Sequence, residues 1–216
     1  MVTFREQHRQ QQLEQNQPPQ EIDFDIRWYP YQLDPKAPTA ATPRSKFLAR
    51  KFGLDKSAHQ IQDRIVQAGK VEGIQFRYDD DTLYCNTLDS HRMIELVRRR
   101  WDLEGEMVEE LFQSHFERGE CGDVPTLLVC ARKVYLAACV QGGPLTRDAS
   151  RVEQELAYLK EYLESDQGMD EVKEEIRRAR QDLGLQGVPA IIVQNTYLLS
   201  GGQDPSTFVE VFKRVV

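Results

Sequence analysis

The sequence holds four cysteines, and no two of them are spaced Cys-x-x-Cys. That removes the commonest redox dithiol and the commonest half of a zinc site. Long apolar runs are also missing. No stretch approaches the ~20 residues that span a bilayer as a helix, so no membrane partner is expected. The opening residues hold no apolar core of the kind that heads exported chains, so a cytoplasmic setting with reduced thiols is expected. Positive charge is in deficit: 28 Lys and Arg against 35 Asp and Glu give a net charge of −7. A nucleic-acid partner needs a basic stripe. The one tight basic cluster, Arg98-Arg99-Arg100, falls late in a helical pattern, where cations suit the helix dipole. No block of roughly 20–50 residues recurs, which excludes a solenoid.

What is present is ordinary for a globular chain. Of the 216 residues, 40% are hydrophobic and 29% charged, enough for a core in one or two domains. Cys130 and Cys139 fall on one helical pattern. Nine residues at a rise of ~1.5 Å set them ~13 Å apart on opposite faces, so they share neither a metal ion nor a disulfide. They read as buried thiols, and no metal site is expected. Cys121 sits in the loop Arg118-Gly119-Glu120-Cys121-Gly122-Asp123, where an exposed, oxidisable thiol is expected.

Residues 3–17 are glutamine-rich, either a weak helix anchored by Phe4 and Leu13 or a disordered arm. Ile22, Phe24, Ile26 and Trp28 alternate with Asp23, Asp25 and Arg27, which predicts a strand with one buried face and Trp28 in the core. From about residue 44 to 165 the spacing is helical. Phe47, Leu48 and Phe52 mark a short helix, Ile61 to Ala68 the next, and Leu88–Trp101 a third. Met107 to Phe116, Leu127 to Ala138, and Val152, Leu156, Leu159 and Leu163 mark three more. Val172, Ile176, Ala179 and Leu183 predict an amphipathic helix, then short strands at Ala190–Val193 and Tyr197–Leu199 around a turn at Gln194-Asn195-Thr196. The last helix starts with Asp204 as N-cap and Pro205 at its first position.

The order from Gly187-Val188-Pro189 onward, loop with proline, strand, turn, strand, helix, resembles the C-terminal half of a thioredoxin fold. Six segments then resemble signatures of the DsbA-like thioredoxin family, and within it the FrnE-like branch; kappa-class glutathione transferases and 2-hydroxychromene-2-carboxylate isomerases are relatives. Arg27-Trp28-Tyr29-Pro30-Tyr31-Gln32-Leu33-Asp34-Pro35 is similar to a W-x-P-F-x-L-x-P strand end. Ala68-Gly69 with Gly73-Ile74-Gln75-Phe76 resembles A-G…G-I-x-F. Asn86-Thr87-Leu88-Asp89-Ser90-His91-Arg92 resembles N-T-x-x-A-H-R, and Leu163-Glu164-Ser165-Asp166-Gln167-Gly168 resembles L-x-S-D-x-G. Gly184 to Pro189 and Leu199 to Gln203 resemble G-I-x-G-V-P and L-S-G-A-Q. Any one signature is weak, and six in order are strong.

The resemblance implies an α/β, thioredoxin-like fold with an all-helical insertion. Residues 1–38 and 168–216 would form the thioredoxin-like part and 39–167 the insertion. It implies thiol–disulfide oxidoreductase or isomerase chemistry on a protein or peptide thiol. Val188 and Pro189, joined by a cis peptide, would pair with extended substrate. Asn86, Thr87 and His91 are the further substrate-binding candidates. Against them stand helix capping by Thr87 or Asp89 and a buried, hydrogen-bonded His91. Active members carry C-P-W-C after the first strand, and Met1 falls where that helix should begin. Ala190 also departs, standing where the family often has an aromatic residue. The chain is therefore expected to be inactive as given, with no catalytic residue of its own, and to be a truncated or mis-started form whose missing segment carries the first strand. Two alternatives stay open: a glutathione-dependent transferase or isomerase, with glutathione the only cofactor in view, and a non-catalytic thioredoxin-fold binding protein. Homodimerisation is left open as well.

Overall fold

A computed structural model describes residues 9–10, 22–47, 56–79, 81–140, 145 and 148–215. The chain divides into two units: one combines residues 1–27 with 179–216, and the other is Trp28–Arg178.

The larger unit is helical. Its elements are β1 (Thr42–Pro43), α1 (Lys56–Val71), β2 (Leu83–Tyr84), α2 (Leu88–Trp101), α3 (Glu104–Phe112), a π turn at Gln113–Glu117, α4 (Val124–Val140) and α5 (Ala149–Glu164). Strands β1 and β2 form a two-residue antiparallel pair, Thr42 opposite Tyr84. Helices α2 to α5 pack around one core. Met93, Val97, Met107, Leu127, Cys130, Ala131 and Leu159 are at most 0% exposed, and Trp101 meets Tyr135 edge to face with ring centroids 5.1 Å apart. The helices start where sequence offers caps. Asp123 accepts the Thr126 N–H at 3.0 Å before α4, and Asp148 accepts the Ser150 N–H at 2.8 Å before α5. All four residues of the predicted stripe Val152, Leu156, Leu159 and Leu163 are buried.

Helix α6 (Met169–Gln181) runs to the boundary between the units, and it buries Val172, Ile176 and Ala179 while Leu183 beyond it is exposed. In the smaller unit, β3 (Ala190–Val193) and β4 (Tyr197–Ser200) form an antiparallel hairpin with Ile191 opposite Leu199. Gln194 and Asn195 both take positive φ, 49° and 52°, which closes the hairpin in the turn sense that matches strand twist. Helix α7 (Pro205–Phe212) follows, with Asp204 accepting the Ser206 N–H at 2.9 Å. The Phe212 ring packs edge-on against Phe24 at 5.1 Å.

Two expectations change. Ile22 to Trp28 carries the alternation of a strand, yet these residues are in no ladder. Trp28 is 43% exposed, leaning on Phe112 at 6.1 Å, so it is not a core residue. Phe76 and Tyr78 stack at 5.7 Å, and Arg77 donates its N–H to the Phe116 carbonyl at 2.7 Å. The expected arm at residues 3–17 and the end of the Phe47–Phe52 helix lie outside the described residues, apart from a helical 9–10 and 44–47.

Candidate functional site

The sequence candidates fall in both units. In the smaller one, Gly184 turns the chain with φ 64°, and Leu185 donates its N–H to the Ala179 carbonyl at 3.0 Å. The segment Gly187-Val188-Pro189 then enters β3. The Val188–Pro189 peptide is cis. The Pro189 carbonyl accepts the Gly201 N–H at 2.8 Å, which extends the β3–β4 ladder by one step. Val188 stands clear of that ladder. It is 48% exposed, and among the described residues nothing takes its N–H or its carbonyl. Ile191, Ile192 and Leu198 on the adjoining hairpin are 39%, 43% and 50% exposed. An unpaired main-chain donor and acceptor on a half-exposed residue, beside apolar side chains, is what an extended peptide can add to.

Asn86, Thr87 and His91 belong to the larger unit, around the start of α2. Asn86 is fully committed to its own chain. Its Oδ1 accepts the Gln32 side-chain amide at 2.7 Å and the Leu88 N–H at 2.9 Å. Its Nδ2 donates to the carbonyls of Pro35 and Ala37 at 3.1 and 3.3 Å. Those four bonds use the whole capacity of the amide. Asn86 therefore positions the Gln32–Pro38 loop and opens the helix. The expected caps, Thr87 and Asp89, do not serve: Thr87 makes no side-chain cap bond, and Asp89 pairs with Arg92 at 2.7 Å. The His91 ring bonds the Tyr31 backbone, and burial pushes its pKa down to about 4. A neutral imidazole pinned to that same loop is the buried, hydrogen-bonded histidine of the two readings above. His115, lowered likewise by burial, bonds the Glu120 carbonyl at 3.1 Å. Thr87 alone of the three keeps an exposed, unpaired hydroxyl.

Arg92, not a candidate from sequence, is 1% exposed. Its guanidinium donates to the carbonyls of Tyr162 at 2.7 Å, Leu163 at 3.1 Å, Ser165 at 2.6 Å and Gln167 at 2.7 Å. These carbonyls lie at and just beyond the C-terminus of α5, where a cation also meets the negative end of the helix dipole. Gly168 closes the turn with φ 72°, and a Cβ there would run into the Tyr162 hydroxyl. The Asn-Thr and Ser-Asp-x-Gly signatures are thus two sides of one joint.

The cysteines depart from expectation in a useful way. Cys130 is 0% exposed, as read, but Cys139 on the same helix is partly exposed. Cys121 is 2% exposed and not an open loop thiol. Its thiol is in hydrogen-bonding contact with that of Cys85, which is 5% exposed. That contact pushes Cys121 down and Cys85 up from the usual thiol range. The sequence reading found no close cysteine pair; the fold makes one.

A family model, the DSBA-like thioredoxin domain, matches residues 4–213. The chain belongs to this family. A probable DsbA oxidoreductase from Streptomyces coelicolor is similar in structure to this DsbA-like chain, with a TM-score of 0.63 and 23% identity, covering 85% of this chain and 72% of that one. At that identity the likeness carries the fold, thioredoxin-like with a helical insertion. No curated protein matches the chain. Among the described residues no helix is long and apolar enough to cross a membrane.

Proposed function

We propose that this chain works in thiol–disulfide exchange as a DsbA/FrnE-like module that holds a protein or peptide thiol substrate, without dithiol turnover of its own. The observation that carries the reading is the DSBA-like thioredoxin match over residues 4–213. The half-exposed Val188, whose main-chain N–H and carbonyl have no partner among the described residues, stands next to the β3–β4 hairpin and supports the binding half. The no-turnover half rests on the cysteines: none is spaced Cys-x-x-Cys, and both members of the one close pair are buried. An exchange cycle on a protein substrate needs an accessible nucleophilic thiol with a resolving thiol beside it.

Two measurements test this. A fluorescent, cysteine-containing extended peptide should bind the chain, and Val188→Pro, which deletes the main-chain N–H, should weaken it about 2- to 10-fold, the value of one hydrogen bond. Equal affinity of Val188→Pro and wild type overturns the binding site. Dithiothreitol-driven insulin reduction should run at the uncatalysed rate; clear acceleration surviving Cys121→Ser refutes the no-turnover half. Glutathione titrated by calorimetry should give no heat, and saturable binding there favours the transferase reading instead.

A further inference from the structure

We propose that Cys85 and Cys121 form a reversible dithiol–disulfide pair, closed by hydrogen peroxide, inside the helical unit. The two cysteines come from segments that run side by side. The Leu83 N–H donates to the Gly119 carbonyl at 2.8 Å. Cys85 follows Leu83 by two residues and Cys121 follows Gly119 by two, in the same direction. The main-chain N–H of Gly122 bonds the Cys85 sulfur, which confirms that register. The two thiols are already in hydrogen-bonding contact, so the ~2.05 Å S–S bond is reached by closing that contact. The close approach is enforced by what surrounds it. Gly119 is buried against Thr82, and a Cβ at Gly122 would strike the Ser90 hydroxyl.

The chemistry assigns a role to each sulfur. Cys121 is the nucleophile. Its sulfur receives the hydrogen bond from the Cys85 thiol and further main-chain bonds from its own residue and Asp123, and it lies just before α4, whose N-terminus favours a thiolate. It attacks one oxygen of the peroxide, the O–O bond breaks, and hydroxide leaves to take a proton as water. The product is a sulfenic acid on Cys121. The Cys85 sulfur, losing its proton, attacks the Cys121 sulfur. The S–O bond breaks, the S–S bond forms and a second water leaves. Two thiols and one peroxide give one disulfide and two waters. A small oxidant suits the site: Cys121 is buried, but Glu120 and Gly122 on either side are partly exposed, so one loop separates it from solvent. A thiol such as dithiothreitol reverses the bridge by exchange.

The test uses the full chain. Reduced protein is treated with hydrogen peroxide under native conditions, free thiols are blocked, and the non-reduced digest is read by mass spectrometry. The expected result is loss of two of the four titratable thiols, one peptide pair joining Cys85 to Cys121 with two hydrogens lost, and full recovery with dithiothreitol. In Cys85→Ser the sulfenic acid should persist on Cys121 and be trapped by dimedone. A bridge to Cys130 or Cys139, sulfinic acid on Cys121 in wild type without a bridge, or both thiols still reduced while Cys139 is oxidised, would each overturn the proposal. The wild-type digest decides even where a variant fails to fold.

Discussion

Replacing Arg92 by methionine keeps most of the buried stem and removes the five donors of the guanidinium. Removing both sides of a buried polar contact is often neutral, but here only one side goes. The carbonyls stay. Those of Gln167 and Ser165 lie near the surface, where water replaces the guanidinium. Those of Tyr162 and Leu163 are buried; Tyr162 keeps the Ser165 N–H at 3.2 Å and the Ser165 hydroxyl at 2.8 Å, so Leu163 alone is left without a donor. Each buried acceptor so orphaned costs ~1–3 kcal/mol. The ion pair to Asp89, whose side chain is 39% exposed, adds under ~1 kcal/mol. Relief of the buried charge offsets part of this, and the net loss comes to about 2 kcal/mol, a sizeable share of the ~5–15 kcal/mol that a domain holds. At about 2–4 °C per kcal/mol for a chain this long, the helical melting transition should fall by roughly 4–8 °C. Urea unfolding followed by far-ultraviolet circular dichroism gives the same quantity independently. Arg92→Lys should recover less than half, because an ammonium is a point donor and cannot fork across several carbonyls. A loss below ~1 kcal/mol in Arg92→Met, or full recovery in Arg92→Lys, would refute the idea that Arg92 holds α5 to α2.

Two further outcomes follow from the same joint. Gly168→Ala meets both a φ of 72° and the Tyr162 hydroxyl, so it should destabilise by about 1–3 kcal/mol in the same urea experiment, and a neutral result would show that the turn yields freely. His91 has a folded pKa of about 4 against an ordinary 6.5, so between those values the unfolded chain binds more protons and stability rises with pH; His91→Asn should flatten that slope, by at most ~1.4 kcal/mol per pH unit, and an unchanged slope would mean that His91 is not buried as a neutral ring.

Helix α2 was legible to the residue, Leu88–Trp101, because periodic apolar side chains and a fourteen-residue run leave one way to bury a face. The hairpin turn and the Asp204-Pro205 start of α7 were legible for an equally local reason, since φ preferences and caps act within a few residues. The strand expected at Ile22–Trp28 failed because period-2 alternation shows a face to bury but not a neighbour to bond, and a ladder needs both. Cys85 and Cys121 were invisible as a pair because α2, α3 and the π turn separate them in sequence, and spacing rules see only near neighbours.

Arg92 shows why the candidate site shifted. An arginine inside a helix reads as a solvated face, since isolated charges stay out of cores. Here its partners are main-chain carbonyls at a helix end, which no side-chain pattern records. Asn86 and His91 behave alike: their polar atoms go to the backbone of the Tyr31–Pro38 loop. Residues of a signature can therefore be matched and still be spent on packing. The side chains of the Asn-Thr-x-x-x-His-Arg segment join α2 to that loop and to the end of α5, and among the described residues the exposed Thr87 hydroxyl has no partner. Val188 differs in kind, because its main-chain N–H and carbonyl are open and half the residue faces solvent. Substitutions at Asn86, His91 or Arg92 should lower stability first and binding only through it, whereas Val188→Pro should lower peptide affinity while the α2–α5 melting transition stays in place.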